Sequence, residues 1–382
     1  MARIEVVTVA GRERLKQFIA LPKELYRGDA GYVAPLDMER GEVLSRKKNP
    51  YFAHAEAELF LALRDGHPVG RISAQICRLE QEKRPGTGHF GWLDAIDDGA
   101  VYEALLAAAA DWLRARGMHR MVGPFSFSSN EETGLLVGGF ASRPMLMMPY
   151  HANYAAEHVE RAGLAKVKDV IAYEVDESMY KPMGSSRMLQ KWQADGTVRL
   201  RGLDMKNYAR DLRVILDIFN DAWSDNWGMV PFTEAEISAA AKSMRPLIDP
   251  DLVVIAEVKG EAAGMLVCLP NLMEAIRDFD GSLLPFNLFK LLWRLKRKTL
   301  TSARIPLMGI RKTHHGSILG AALLPLMFER LKEPFLKRGL ERVELSWILE
   351  DNMPMRRVIE GIGARPYKTY RLFEKALASG GG

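Results

Sequence analysis

Apolar and polar positions along this chain fall into two rhythms, and the same order of rhythms occurs twice. At 59–74 the run LFLALRDGHPVGRISA is an apolar stretch, a charged turn with glycine, and a second apolar stretch. That pattern predicts a β-hairpin. VVIAEVKGEAAGMLVC at 253–268 repeats it, with Ala62, Gly66 and Gly70 falling on Ala256, Gly260 and Gly264 at one constant offset. GLAKVKDVIAYEV (163–175) likewise pairs with GARPYKTYRLFEK (363–375): Gly163, Lys168 and Glu174 lie over Gly363, Lys368 and Glu374, and Tyr173 over Phe373. Pro35-Leu36 stands beside Pro231-Phe232 in the same order. Three collinear matches imply duplication of one unit, giving domains at 1–190 and 191–382 with a join near 183–197. Two copies are too few for a solenoid, so a pair of like domains is expected.

Within each half the order is helix, hairpin, strand, helix, strand, helix, strand. In the second half these are a helix at 207–222, the hairpin at 252–268, strands at 304–311, 342–348 and 367–375, and helices at 318–338 and 353–361. Strands alternating with helices predict an α/β architecture, a mixed sheet covered by helices.

The chain has 382 residues, 48% of them hydrophobic and 26% charged, enough to bury two cores in a soluble protein. Its net charge of +5 favours anionic partners such as CoA phosphates, acidic lipid or nucleic acid, or simply a solvated basic surface. The two cysteines, Cys77 and Cys268, sit in apolar runs without metal-ligand spacing, so no metal site is expected. The first residues hold no secretory apolar core, and no run reaches the about 18 apolar residues of a membrane span. A cytoplasmic protein is expected, with ASGGG at the end as a flexible tail.

One amphipathic segment stands out in the insert 270–303. In LPFNLFKLLWRLKRKTL (284–300), Phe289, Leu292 and Trp293 share a helical face, widened by Leu288, Leu291 and Leu295. Lys290, Arg294, Lys296, Arg297 and Lys298 supply charge. A basic helix with an aromatic apolar face suits the surface of an anionic membrane, as for a protein peripheral on an inner membrane. A surface helix with snorkelling lysines is the alternative. No nucleic-acid partner is expected.

Other stretches carry candidate chemistry. RKTHHGSILGAAL (311–323) runs from a strand through a glycine-bearing loop to a helix N-terminus, where free amides attract anions. NDAWSDNWG interleaves Asn220, Trp223, Asn226 and Trp227, which suits a polar head with an apolar tail. SFSSNEETG offers Asn130, Glu131 and Glu132. SWILEDN sets Glu350 and Asp351 where a strand gives way to a helix.

The spacing in NMPMRRVIEGIGA resembles the GNAT acyltransferase superfamily: Asn352, Met355, Val358 and Gly363 fill its positions after the fifth strand. Ile359 stands where that superfamily usually has a tyrosine that protonates the leaving thiolate; Tyr367 and Tyr370 are the nearby substitutes, and Tyr370 is the chosen one. Against the superfamily's pyrophosphate loop, His315 takes the Arg/Gln place, Ile318 the first glycine place and Gly320 the last. Across nearly the full chain, NPYFAHAEAELFLALRDGHPVGRISA, NDAWSDNWG and ELSWILEDNMPMRRVIEGIG are similar to a bacterial tandem-GNAT family. That family includes bacterial ceramide synthases and often carries a dATP pyrophosphohydrolase label, for which no REx₂EE run is found here.

The resemblance implies two tandem GNAT-like domains, the first degenerate. It implies an acyl-CoA or acyl carrier protein thioester as donor, and a sphingoid long-chain base as acceptor. Donor contacts are expected from Ile310, Arg311, His315, Gly316, Gly320 and Asn352, with the oxyanion donor near Ile310. An amine must lose a proton before it attacks, so Glu350 and His314 are the candidate bases. The alternatives left open are acyl transfer to a small or peptidyl amine, and a non-catalytic acyl-CoA or lipid-binding protein.

Overall fold

The computed structural model describes residues 3–29, 31–181, 187–245, 247–297 and 299–377. Residues 183–186 of the expected join, Lys298 of the basic helix and the ASGGG tail lie outside them. Among the described residues the strands are β1 (Ile4–Thr8), β2 (Ala55–Arg64), β3 (His67–Cys77), β4 (Thr87–Ala95), β5 (Arg120–Gly123), β6 (Leu135–Gly138), β7 (Ala165–Asp176), β8 (Val198–Arg201), β9 (Val253–Val258), β10 (Glu261–Pro270), β11 (Ser302–Ile310), β12 (Arg342–Leu349) and β13 (Arg365–Ala376).

The matched hairpins form as expected. β2–β3 turns on Asp65-Gly66 and β9–β10 on Lys259-Gly260, and all four residues have positive φ. Two successive left-handed residues make the tight turn whose twist suits a hairpin. The duplication is thus visible in backbone conformation as well as in sequence.

Two compact units result, and neither is one half of the sequence. Unit 1 comprises 1–170, 276–289 and 368–382; unit 2 comprises 171–275 and 290–367. In unit 1 the strand order is β1-β2-β3-β4-β5-β13, with β6 also on β13. In unit 2 it is β7-β12-β11-β10-β9-β8. Each unit therefore takes its closing strand from the other repeat: the end of β13 pairs with β5 from Phe373↔Gly123 to Ala376↔Arg120. The expected boundary at 190/191 follows the repeat, whereas the units exchange their last strands across it.

Each unit has its own core. In unit 1 the helix Gly99–Arg114 lays Val101, Leu105, Ala109 and Leu113 against Phe60, Ile72 and Phe90. In unit 2 the helix Ile318–Lys337 packs Leu323, Leu324, Met327 and Phe328 onto Ile305 and Leu345. Both helices place apolar residues three or four apart, which builds one buried face. The basic helix is shorter than expected, Asn287–Arg297, and begins after Pro285, whose preceding residue is biased to extended backbone.

Candidate active site

The sheet of unit 2 opens between β11 and β12. These parallel strands pair only at Ser302↔Arg342, Ala303↔Val343, Arg304↔Glu344 and Ile305↔Leu345. Beyond that point β11 continues to Ile310 with β10 on its other edge, down to the pair Gly264↔Ile310. Among the described residues, 306–310 and 346–349 thus present facing strand edges across a fork. An extended ligand with amide groups can pair with such edges.

The apex of the fork has two unlike faces, because side chains alternate along a strand. Ile305, Val343 and Leu345 face the helix Ile318–Lys337 and join its core. On the other face Arg304, Glu344 and Ser346 form a buried polar group. Arg304 Nε donates to Ser346 Oγ at 2.8 Å, and Ser346 Oγ donates to Glu344 Oε1 at 2.6 Å. The Tyr367 hydroxyl donates to Glu344 Oε2. The Arg304 guanidinium also lies 4.9 Å from the centre of the Trp347 ring.

The loop after β11 shows why its glycines are where they are. Gly316 has φ +71, the left-handed turn that glycine tolerates. At Gly320 a Cβ would lie 1.9 Å from the His314 carbonyl oxygen, so no side chain fits. Ser317 caps the helix: its Oγ accepts from Gly320 N at 2.9 Å and donates to the His314 carbonyl at 2.8 Å. His315 Nε2 donates to the Ile310 carbonyl at 3.0 Å. Ile318 is 72% exposed at the first helical position, beside the N-terminal amides. The cations of this loop have protein partners: Arg311 pairs with Asp217, and Lys312 with Asp225, while Asp221 accepts from Lys312 N at 2.8 Å.

His314 follows β11 and Glu350 follows β12, so both stand at the open end of the fork. Asn352 caps the helix Met353–Gly361 through Met355 N at 3.2 Å. Trp223 donates to the Met308 carbonyl at 3.3 Å, against the β11 side of the fork. Three expectations meet other surroundings. The Asn220 amide is engaged by both backbone groups of Phe232, at 3.1 and 3.4 Å, which clamps a turn. Asn226 and Trp227 continue that turn, with Asn226 N bonded to Trp223 O at 2.8 Å. Tyr370 is fully buried in the unit 1 part of β13, opposite Leu136, because strand exchange carries it there. Tyr367 stays in unit 2. Ile359, in the usual tyrosine place, is core.

Unit 1 differs at each corresponding point. Its β4 and β5 pair only over 87–89 and 120–122, but the chain then closes the gap: Phe125 N donates to Phe90 O at 2.8 Å. A Cβ on Gly91 would lie 1.6 Å from the Phe125 carbonyl oxygen. Asp97 and Asp98 precede its helix Gly99–Arg114, and Asp98 caps it through Ala100 N at 2.9 Å. Two carboxylates at that N-terminus repel a diphosphate. Asn130 and Glu131 lie in a turn built on Ser128, while their neighbour Glu132 pairs with Arg40.

Unit 1 also holds a buried polar cluster that no local pattern announces. Tyr26 donates to Asp94 at 2.6 Å, and Arg71 donates to it at 2.8 Å. Burial pushes the Asp94 carboxyl up, but Arg71 prevails and holds it below the usual carboxylate range. Burial holds the nearby His151 imidazole below its ordinary value, against the pull of Asp94.

On the basic helix the apolar face points outward. Phe289 is 71% exposed, with Leu292 and Trp293 also exposed and only Leu291 of the helix buried, and Phe286 just before the helix is 80% exposed. Among the described residues no helix is long and apolar enough to cross a membrane, and no group of side chains is arranged to hold a metal ion.

No family model matches the chain. It is 48% identical over 378 residues to a bacterial ceramide synthase from Caulobacter vibrioides, covering 98% of both chains. It is 40% identical to the protein YghO of Escherichia coli, covering 97% of this chain and 95% of that one. Among solved structures, a tandem GNAT protein from the clavulanic acid biosynthesis pathway matches with a TM-score of 0.56 at 15% identity, covering 98% and 99%. A GCN5-related N-acetyltransferase from Sphaerobacter thermophilus matches with a TM-score of 0.54 at 15% identity, covering 97% and 96%. These two establish the tandem GNAT fold.

Proposed function

The chain belongs to the bacterial ceramide synthase family of acyltransferases, and on that premise we propose that it moves a long-chain acyl group from a thioester to the amine of a sphingoid long-chain base. The observation that carries this reading is the full-length likeness to the Caulobacter vibrioides enzyme. The fork of unit 2, open between β11 and β12, supports unit 2 as the donor-binding unit. Acyl-CoA or acyl carrier protein thioester serves as donor, its anionic end at the loop His314–Gly320.

The chemistry needs two proton movements. The acceptor ammonium, with a pKa of about 10, first gives a proton to a base at the open end of the fork, for which Glu350 and His314 are our candidates. The neutral nitrogen then attacks the thioester carbon. As the tetrahedral intermediate collapses, the C–S bond breaks and nitrogen releases its second proton to solvent. The leaving thiolate takes a proton from Tyr367, which replaces Tyr370 in that role because it shares unit 2 with the fork. The exposed aromatic face and cations of the helix Asn287–Arg297 support peripheral contact with an anionic membrane, where such an acceptor resides.

Purified protein given palmitoyl-CoA and sphinganine should release free thiol and form ceramide. Absence of thiol across chain lengths, and with acyl carrier protein donors, would refute the proposal. Faster release with a small or peptidyl amine would replace the acceptor.

A further inference from the structure

We infer that an apolar cleft behind the fork of unit 2 holds the hydrocarbon chain of the acyl donor. The inference rests on the acyl-transfer reading above and names where that reaction's donor chain lies. The cleft lies between the helix Ile318–Lys337 and the sheet of unit 2 and is lined mainly by apolar side chains. Phe328, Leu331 and Phe335 of the helix Ile318–Lys337 form one wall; Ile305, Val343 and Val175 of the sheet form the other. Asp176, Glu177, Tyr180 and Lys332 also line it, with the Lys332 ammonium 5.2 Å from the centre of the Tyr180 ring.

Its position relative to the fork is the argument. Ile305 is the last β11 residue paired with β12, and it lines the cleft. The cleft therefore begins where the fork ends. A donor whose anionic end sits at His314–Gly320 enters from the C-terminal ends of both strands, so its acyl chain points at the apex. There the ladder Ser302–Ile305 against Arg342–Leu345 bars a straight path. The chain must leave the plane of the sheet on one face or the other.

The two faces offer opposite surroundings. One carries Arg304, Glu344 and Ser346, buried and hydrogen-bonded to one another. Pushing methylenes among them would strip these groups of partners. The other face leads past Ile305 and Val343 into the apolar cleft. Each methylene buried there tightens binding roughly fourfold. The arrangement puts the chain behind the sheet and leaves the polar face to the amine.

Val343→Phe narrows the cleft without touching the loop or the polar face, and Val175→Phe narrows it from β7 should the first variant fail to fold. The kcat/KM for palmitoyl-CoA is expected to fall by about 100-fold, with that for octanoyl-CoA nearly unchanged. An equal loss for both donors would overturn the inference. A second measurement needs no turnover: cis-parinaric acid fluorescence should rise with the wild-type protein, fall on adding palmitoyl-CoA, and stay low with the variant. Wild-type protein inactive with every donor would refute the proposed function, and the parinarate result would still judge the cleft. No parinarate binding, or binding that palmitoyl-CoA leaves in place, assigns the cleft to another occupant or none and overturns the inference.

Discussion

Arg304 and Ser346 join the two strands of unit 2 at the point where they part: Arg304 Nε, one residue before the last pair of the ladder, donates to Ser346 Oγ at 2.8 Å. Arg304 is 1% exposed and Glu344, 3.5 Å away, is fully buried. Removing one member of such a pair strands the other charge. Arg304→Met is therefore expected to cost about 3–5 kcal/mol, read from the shift of the urea unfolding midpoint. Adding Glu344→Met should recover most of that loss. A double variant no more stable than the single one would show that the stranded carboxylate is not the cause.

The glycine at 320 and the isoleucine at 318 should respond in opposite senses. Gly320→Ala drives a methyl into the His314 carbonyl, displaces the loop, and is expected to weaken CoA binding tenfold or more, about 1.4 kcal/mol. Ile318→Gly uncovers the first amides of the helix and should strengthen binding. Calorimetry with CoA measures both. Affinity indifferent to Gly320→Ala would remove this loop from the donor site.

Flotation with vesicles tests the basic helix. Wild-type protein should rise with phosphatidylglycerol-containing vesicles and remain behind with pure phosphatidylcholine. Phe289→Ser with Trp293→Ser should abolish flotation, and Lys296→Glu with Arg297→Glu should weaken it most at low salt. Flotation unaffected by either pair would rule out this face as the membrane contact.

Unit 1 carries a pH dependence of its own. The folded pKa of His151 lies below its unfolded value of about 6.5, so between those values the unfolded chain binds the extra proton. Stability is then full above about pH 6.5 and declines as pH falls, by up to about 1.4 kcal/mol per pH unit. Asp94, held below its unfolded value of about 3.9, adds its own loss only at lower pH. His151 Nδ1 accepts from Leu136 N at 3.2 Å, and glutamine keeps an acceptor there. His151→Gln should flatten the dependence between pH 7 and 5; an unchanged slope in urea titrations would place its origin elsewhere.

Much of the candidate site is legible in sequence because its signals are local. The loop 311–320 announces itself through a strand, glycines and a helix start in one stretch. Asp351 and Asn352 read equally well as the cap of the helix that follows, and Asn352 takes that place. The Arg304–Glu344–Tyr367 group left no comparable trace: its members come from three strands and meet only through the sheet. Asp94, Arg71 and Tyr26 are scattered in the same way. Asn220 and Asn226 alternate with tryptophans in one short stretch, and polar residues so placed serve a turn as readily as a ligand.

By itself the sequence determined the duplicated order of elements, both glycine-bearing hairpin turns, and the amphipathic character of 287–297, since periodicity and turn chemistry act between near neighbours. Only the tertiary structure decided that the repeats trade their last strands, that Tyr370 falls in unit 1 while Tyr367 stays with the fork, and that one apex has an apolar and a polar face. Those outcomes depend on which distant strands pair and in what register, and a shift of one residue in register reverses every side chain.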